Sequence, residues 1–166
     1  MIDTATEWVR RLQLLPHPEG GHYREVYRSK DAIAGEALPK RFGASRSLST
    51  AIYFLLEGSS FSAFHRLKSD ELWHHYHGAP VTLHLLDSEK GYSKVVLGGV
   101  RNGEWQIVIS AECWFAAELE ETDSFALVGC TVAPGFDFAD FEMARQDDLI
   151  GLFPDQQPLI SRLTRN

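Results

Sequence analysis

The sequence predicts an all-β domain, an antiparallel sandwich or barrel with a short helix near each end. Its 166 residues suit one domain, 1–166, that buries roughly 70% of the surface of its unfolded chain. Between the ends the sequence indicates short strands with no intervening helices, separated by turn residues such as Glu57-Gly58-Ser59, Gly78-Ala79-Pro80 and Asn102-Gly103. The predicted strands are 22–29, 47–56, 60–67, 71–77, 81–87, 92–99, 104–110, 113–119 and 124–132.

The first helix is predicted from about Thr4 to Leu15. Thr4 with Glu7 three residues later forms a capping box, and Trp8 and Leu12 share one apolar face with Leu15. Residues 30–46 contain two glycines and a proline and predict a long loop.

The second helix is predicted near the C-terminus, with Asp137 or Asp140 as its N-cap. A third helical turn is expected over 159–163. The aromatic residues just after Pro134 are expected to fix the C-terminal helix over the sheet, which is a structural role; they are Phe136, Phe138 and Phe141.

Charge and composition exclude several classes of protein. The chain has 16 Lys and Arg against 23 Asp and Glu, a net charge of −7, which argues against non-specific binding to nucleic acids or anionic membranes. Neither a secretory signal nor an apolar run of about 18 residues is visible, so we expect a cytoplasmic protein. In that compartment Cys113 and Cys130 are expected as buried thiols, with a disulfide as the alternative.

Histidines are dense between 65 and 84. Strand alternation places Glu71, Trp73 and His75 on one face, and a turn at Ser69-Asp70 brings Glu71 beside His65. An imidazole and a carboxylate that face one interior can bind a divalent cation or form an acid–base dyad. The alternative is a buried ion pair without catalytic function.

A family resemblance covers nearly the whole chain. The pattern Gly58-x6-His65-x5-Glu71-x6-Gly78 resembles the first cupin motif, and longer stretches resemble cupin family 5, a group of unknown function; these stretches are 15–25, 47–56, 64–74 and 127–138. The resemblance implies a double-stranded β-helix, that is, a jelly-roll cupin barrel, with short N- and C-terminal helices.

The chain departs from the cupin metal-binding pattern at two positions. Leu67 stands where the first motif has its second histidine, and Phe115 aligns with the histidine of the second motif. His65 and Glu71 remain as candidate metal ligands, with His75 as a third. The cofactor is therefore left open between none and a divalent metal.

Sugar-nucleotide epimerases of the same superfamily suggest a metal-free alternative. By analogy His65 would be the base that removes a proton next to a carbonyl, with Glu71 as its orienting partner. Tyr53 or Tyr76 would be the proton donor.

Two further groups are candidate ligand-binding residues. Glu19-Gly20-Gly21 permits a tight turn with positive backbone angles, before a strand that carries Tyr23 and Arg24. Arg24 and Arg28, on one face of that strand, could bind a carboxylate or phosphate of a ligand, or reach acidic residues across a dimer interface. The alternative is that they are edge-strand charges that discourage aggregation. Aromatic residues could line an apolar cavity or simply pack the core; they are Phe61, Phe64, Trp73, Trp114 and Phe115.

The function expected from these features is binding of a small polar or anionic organic molecule inside the barrel. The alternatives are a metal-free epimerase or isomerase, a weakly metallated cupin enzyme, and a storage-like structural protein with a filled interior. We expect a homodimer or higher homo-oligomer, and neither nucleic acid nor membrane as a partner.

Overall fold

The computed structural model describes residues 4–99 and 103–165. Its helices are α1 (Ala5–Leu12), α2 (Gln146–Leu152) and α3 (Gln157–Leu163). Its strands are β1 (Leu15–Pro16), β2 (His22–Arg28), β3 (Ala32–Ile33), β4 (Arg46–Ser47), β5 (Thr50–Glu57), β6 (Phe61–Leu67), β7 (Asp70–Gly78), β8 (Val81–Asp87), β9 (Gly91–Leu97), β10 (Gln106–Ile109), β11 (Trp114–Leu119), β12 (Phe125–Ala133) and β13 (Phe141–Met143).

Two antiparallel sheets form a jelly roll, as predicted. One sheet has the order β1-β2-β5-β12-β7-β10 and the other has the order β13-β6-β11-β8-β9. Neighbours that are distant in sequence, such as β5 with β12 and β6 with β11, are typical of this fold. Strand pairs of this kind bring residues near 20, 65, 71 and 130 to the same end of the barrel.

The core lies between the two sheets. Alternation along β5 sends Phe54 and Leu56 into the interior, whereas Tyr53 and Leu55 face outward and pack against α1. Cys113 and Cys130 are buried free thiols in the interior, as expected.

The N-terminal helix is confirmed, with a shorter span than predicted. Its N-cap is Thr4, whose hydroxyl accepts the Glu7 backbone N–H at 3.3 Å. The helix ends at Leu12 because Gln13 adopts a left-handed conformation, with φ of 53°. Leu15 is instead the first residue of β1, paired with Tyr23.

The predicted start of the second helix is wrong. Asp137 caps a 3₁₀ turn at Phe138–Asp140, and Phe141 begins β13, which pairs with β6. Helices α2 and α3 follow, and they pack on the outer face of the five-stranded sheet. Short capping signals do not distinguish an α-helix from a 3₁₀ turn, and pairing with an open sheet edge decided the outcome here.

The two strands flanking Asn102-Gly103 do not form a hairpin. Asn102 lies outside the described residues, but the strands on either side belong to different sheets. β9 pairs with β8, whereas β10 pairs with β7. The connection therefore passes from one sheet to the other.

The long loop 30–46 contains the short β3–β4 ladder and a buried ion pair. The guanidinium of Arg46 donates to both carboxylate oxygens of Asp140, at 2.5 and 2.7 Å, and both side chains are at most 5% exposed. This pair ties the loop to the segment that precedes β13.

The described residues contain no helix with the length and apolar character that crossing a lipid bilayer requires.

Candidate functional site

A cavity of about 310 Å³ opens at one end of the barrel. Its inner end is polar and is formed by His17, Glu19, His65 and Glu71. Its walls are largely apolar, and include Tyr23, Ile52, Phe54, Leu67, Val132 and Phe141. Its entrance is formed by Glu25, Arg28, Phe136, Asp137 and Phe138. This volume suits one small organic molecule.

The turn between β1 and β2 places Glu19 inside the barrel. Gly20 and Gly21 adopt φ of 114° and 70°, which confirms the predicted tight turn with positive backbone angles. The turn is closed by Gly20 N–H donating to the His17 carbonyl at 3.0 Å. Ala63 N–H donates to the Glu19 carbonyl at 2.9 Å and so fixes the turn to β6.

Replacing Gly20 by alanine should lower the free energy of unfolding by about 2 kcal/mol, because a side chain is strained at this φ and its Cβ would meet the Phe61 carbonyl. Thermal denaturation measures the loss. Gly43→Ala is a matched control: Gly43 has φ of 70° but open space around its Cβ position, so only the backbone cost of about 1 kcal/mol is expected. Equal losses for the two variants would contradict the close packing of this turn.

Both ring nitrogens of His65 are engaged. Nδ1 donates to the Ala63 carbonyl at 2.7 Å, since a carbonyl can only accept. Nε2 faces Glu19 Oε2 at 3.2 Å. Burial lowers the pKa of His65, although Glu71 and the Ala63 hydrogen bond partly oppose the fall, so the neutral form of His65 is favoured.

Glu19 is buried among polar partners. The Ser62 hydroxyl donates to its Oε1 at 2.8 Å, and His17 Nδ1 lies 3.4 Å from its Oε2. Burial raises the pKa of Glu19, although the nearby His17 and the Ser62 hydrogen bond partly oppose that rise. The same burial lowers the pKa of His17. Burial therefore favours the neutral forms of Glu19 and His17.

The Glu71 carboxyl lines the cavity. Its side chain is 7% exposed, and its Oε2 has no hydrogen-bond partner among the described residues. Burial raises its pKa to about 7, and the charge of Glu19 raises it further. The charge of His65 limits the rise, and so do the side chains of Trp73 and Cys130, which face the carboxyl as hydrogen-bond donors. Glu71 can therefore gain and lose a proton near neutral pH.

The residues at this end do not fit a metal ion. Leu67 and Phe115, at two of the usual ligand positions, offer no lone pair, and both nitrogens of His65 have other partners. Among the described residues, no group of three or more His, Cys, Asp or Glu side chains has an arrangement that could hold a metal.

Tyr53 and Arg24 lie on the outer face of the six-stranded sheet, away from the cavity. Tyr53 packs near α1, and the Arg24 guanidinium lies 6.0 Å from the centre of the Tyr53 ring. The role of proton donor predicted for Tyr53 required it to face inward, but alternation along β5 points Ile52 and Phe54 inward instead. Arg24 pairs with Tyr53 and does not line the cavity. Tyr76 is on this outer face as well, and its ring centre lies 6.2 Å from that of Tyr53.

His75, Trp73 and Trp114 do not line the cavity either. His75 shares the inward face of Glu71, but it lies toward the far end of β7, where its Nε2 donates to the Ala79 carbonyl at 3.0 Å. Trp73 fills the core, and its Nε1 has no hydrogen-bond partner. Trp114 is on the opposite face of its sheet, beneath the C-terminal helices. Of the residues predicted to bind a ligand, Tyr23 and Arg28 line the cavity.

The aromatic segment after Pro134 forms part of the site, which corrects the structural role predicted for it. We call 134–141 the rim segment. Its three phenylalanines, Phe136, Phe138 and Phe141, have ring centres 5.0 to 6.1 Å apart and line the cavity. The Phe136 N–H donates to the Thr50 hydroxyl at 2.9 Å, which holds the segment across the opening.

His17 and Glu19 are the site residues that the sequence prediction missed. They precede His65 by more than forty residues, so spacing alone gives no reason to group them with it. The turn glycines after Glu19 were the one available signal, because such a turn can carry its preceding side chain into the barrel.

Solved structures of other proteins share this fold. A structure of a protein from Shewanella oneidensis and one of a hypothetical protein from Leishmania major are each 34% identical, with TM-scores of 0.87. The alignments cover 99% of this chain, and 99% and 100% of those chains. A cupin 2 domain-containing protein from Halorhodospira halophila is 15% identical over 92% of this chain and 88% of its own, with a TM-score of 0.57, which shows likeness of fold alone.

No match was found among curated proteins. The family model Cupin_5, described as Cupin superfamily (DUF985), matches residues 6–144, which is most of the chain. With the jelly roll and the two 34% identical structures, this match shows that the chain belongs to the Cupin_5 family of the cupin superfamily.

Proposed function

We propose that the cavity binds a small polar organic molecule and that Glu71 transfers a proton to or from it. The observation that carries this proposal is a buried carboxyl that lines the cavity, has one oxygen without a hydrogen-bond partner and has a pKa raised to about 7. General acid–base catalysis is most effective when the pKa of the group lies near the working pH.

The roles differ from those that the epimerase analogy suggests. His65 Nε2 is occupied by Glu19, whereas Glu71 Oε2 has no hydrogen-bond partner among the described residues, so we assign the acid–base role to Glu71. The charge of His65 lowers the pKa of Glu71 and so tunes it. Tyr23 lines the cavity, and its hydroxyl replaces Tyr53 as the candidate proton donor.

The reaction class that these groups support is removal of a proton next to a carbonyl, followed by its return. Such a reaction needs an acid–base group, a small cavity and partial exclusion of water, and it does not require a metal. The open cavity gives no support to the storage-like alternative, which expects an interior filled by side chains.

Hydrogen–deuterium exchange tests the proposed proton transfer. The protein is incubated in deuterated buffer with small carbonyl compounds such as cyclohexanone and phenylacetone, and exchange next to the carbonyl is followed by proton NMR. We expect exchange faster than in buffer alone, and Glu71→Gln should reduce the protein-dependent rate by about 10²-fold or more.

The control is Glu89→Gln, which removes an exposed carboxylate of the β8–β9 turn and should leave the rate unchanged. Exchange at the buffer rate with every compound, or an unchanged rate in Glu71→Gln, would contradict proton transfer by Glu71.

A further inference from the structure

Within the part of the chain that the structure describes, no cationic side chain that lines the cavity is free to pair with an anion. Among the described residues that line it, Arg28 is the one Arg or Lys. Its Nε and Nη2 donate to the Glu25 carboxylate at 2.9 and 2.6 Å, and its Nη1 donates to the Phe136 carbonyl at 3.0 Å. His17 and His65 favour their neutral forms, because burial lowers the pKa of both. An anionic ligand would lose its hydration without gaining a counter-charge.

Carboxyl groups line both ends of the same cavity. Glu19 and Glu71 are at the inner end, and Glu25 and Asp137 are at the entrance. The chain also has a formal charge of −7, which favours the approach of cations over anions. One of these carboxyls, Glu71, is more than nine-tenths buried and has an oxygen without a hydrogen-bond partner. A buried acceptor of this kind calls for a donor on the ligand.

The rim segment supplies an aromatic environment on the path to that acceptor. Phe136, Phe138 and Phe141 contact one another at the opening, and the Phe138 side chain remains 56% exposed. Aromatic faces carry partial negative charge and bind organic cations, while also packing against apolar rings and chains.

We propose that the ligand of this cavity is a small organic cation, an amine carried on an apolar ring or chain. Its ammonium group donates to the Glu71 carboxyl, and its apolar part packs against Phe54 and the phenylalanines of the rim segment. This inference deepens the proposed function and rests on the same cavity. It favours the polar ligand over the anionic alternative that the sequence left open.

Three probes of nearly equal shape test the charge preference. They are 2-phenylethylammonium, the neutral 2-phenylethanol and the anionic phenylacetate, each titrated into the full chain at neutral pH by isothermal calorimetry. The ammonium probe should bind roughly tenfold more tightly than the alcohol, because a charge-assisted hydrogen bond replaces a neutral one. Phenylacetate should bind more weakly than both.

Single substitutions test whether the probes bind in this cavity. Glu71→Gln keeps the shape of the side chain and should reduce affinity for the ammonium probe about tenfold, with little change for the alcohol. Phe138→Ala, at the exposed entrance, should weaken both probes, since it removes apolar contact. Glu89→Gln should change neither.

Phenylacetate binding as tight as that of the ammonium probe would overturn the inference, and so would equal affinities in Glu71→Gln and the wild type. Absence of binding by all three probes at millimolar concentration would also overturn it. If the protein catalyses hydrogen–deuterium exchange but binds phenylacetate most tightly, the proposed function stands and only the proposed cationic ligand is refuted. Cation binding without exchange would refute only the proton transfer.

Discussion

Replacing Glu71 by glutamine should stabilise the protein by about 3 kcal/mol above pH 7, and by little near pH 4.5. Burial raises the pKa of this carboxyl from its usual 4.5 to about 7, so the native state holds its proton between these pH values while the unfolded chain has released it. The stability contributed by the protonated group is therefore present below pH 4.5 and is lost as pH rises to 7. Glutamine cannot ionise and does not undergo this loss.

Urea denaturation of both proteins from pH 4.5 to 8.5 measures the difference. Glu89→Gln, at an exposed position, should follow the wild-type curve at every pH. A difference between Glu71→Gln and the wild type that does not change with pH would show that Glu71 does not titrate in this range. Reduced stability of Glu71→Gln at pH 8 would show that the ionised carboxylate has a stabilising partner.

Replacing Arg46 by methionine should destabilise the protein by about 3–5 kcal/mol. The substitution removes both charge-assisted hydrogen bonds to Asp140 and leaves that carboxylate buried, with Lys68 Nζ at 3.4 Å as its remaining ion-pair partner. The free energy of unfolding from urea denaturation is the measurement. Because Asp140 ends the 3₁₀ turn of the rim segment, the variant should also bind the ammonium probe more weakly.

Two further variants separate the causes. Arg46→Met combined with Asp140→Asn removes the unpaired charge and should recover part of the lost stability. Lys94→Met breaks a solvent-exposed ion pair with Glu120 and should cost no more than about 1 kcal/mol. If Arg46→Met costs as little as Lys94→Met, the buried pair does not hold the rim segment in place.

The core of the site could be predicted from the sequence in part. His65 and Glu71 lie on consecutive strands joined by a two-residue turn, and alternation along each strand sends both inward. This inference needs only local geometry. The same rule did not decide whether Tyr53 faces inward, because strand alternation defines two opposite faces without indicating which one is buried.

The rest of the site depends on contacts between distant parts of the chain. Glu19 reaches His65 because a hairpin turn folds over the end of the barrel and bonds to β6. The rim phenylalanines reach the opening because Phe141 pairs along β6 and Arg46 fixes Asp140 from 94 residues away. No spacing rule links residues that are so far apart in the chain.

The sequence by itself determined most of the strands, the tight turn at Gly20-Gly21, the jelly-roll family and the proximity of His65 and Glu71, since each depends on local periodicity, turn chemistry or long matching motifs. The tertiary structure alone decided which faces are buried, which carboxyls surround the cavity and where the aromatic segment lies. The physical reason is that burial and nearby charges set the pKa of Glu71. Both arise only when distant strands pack together.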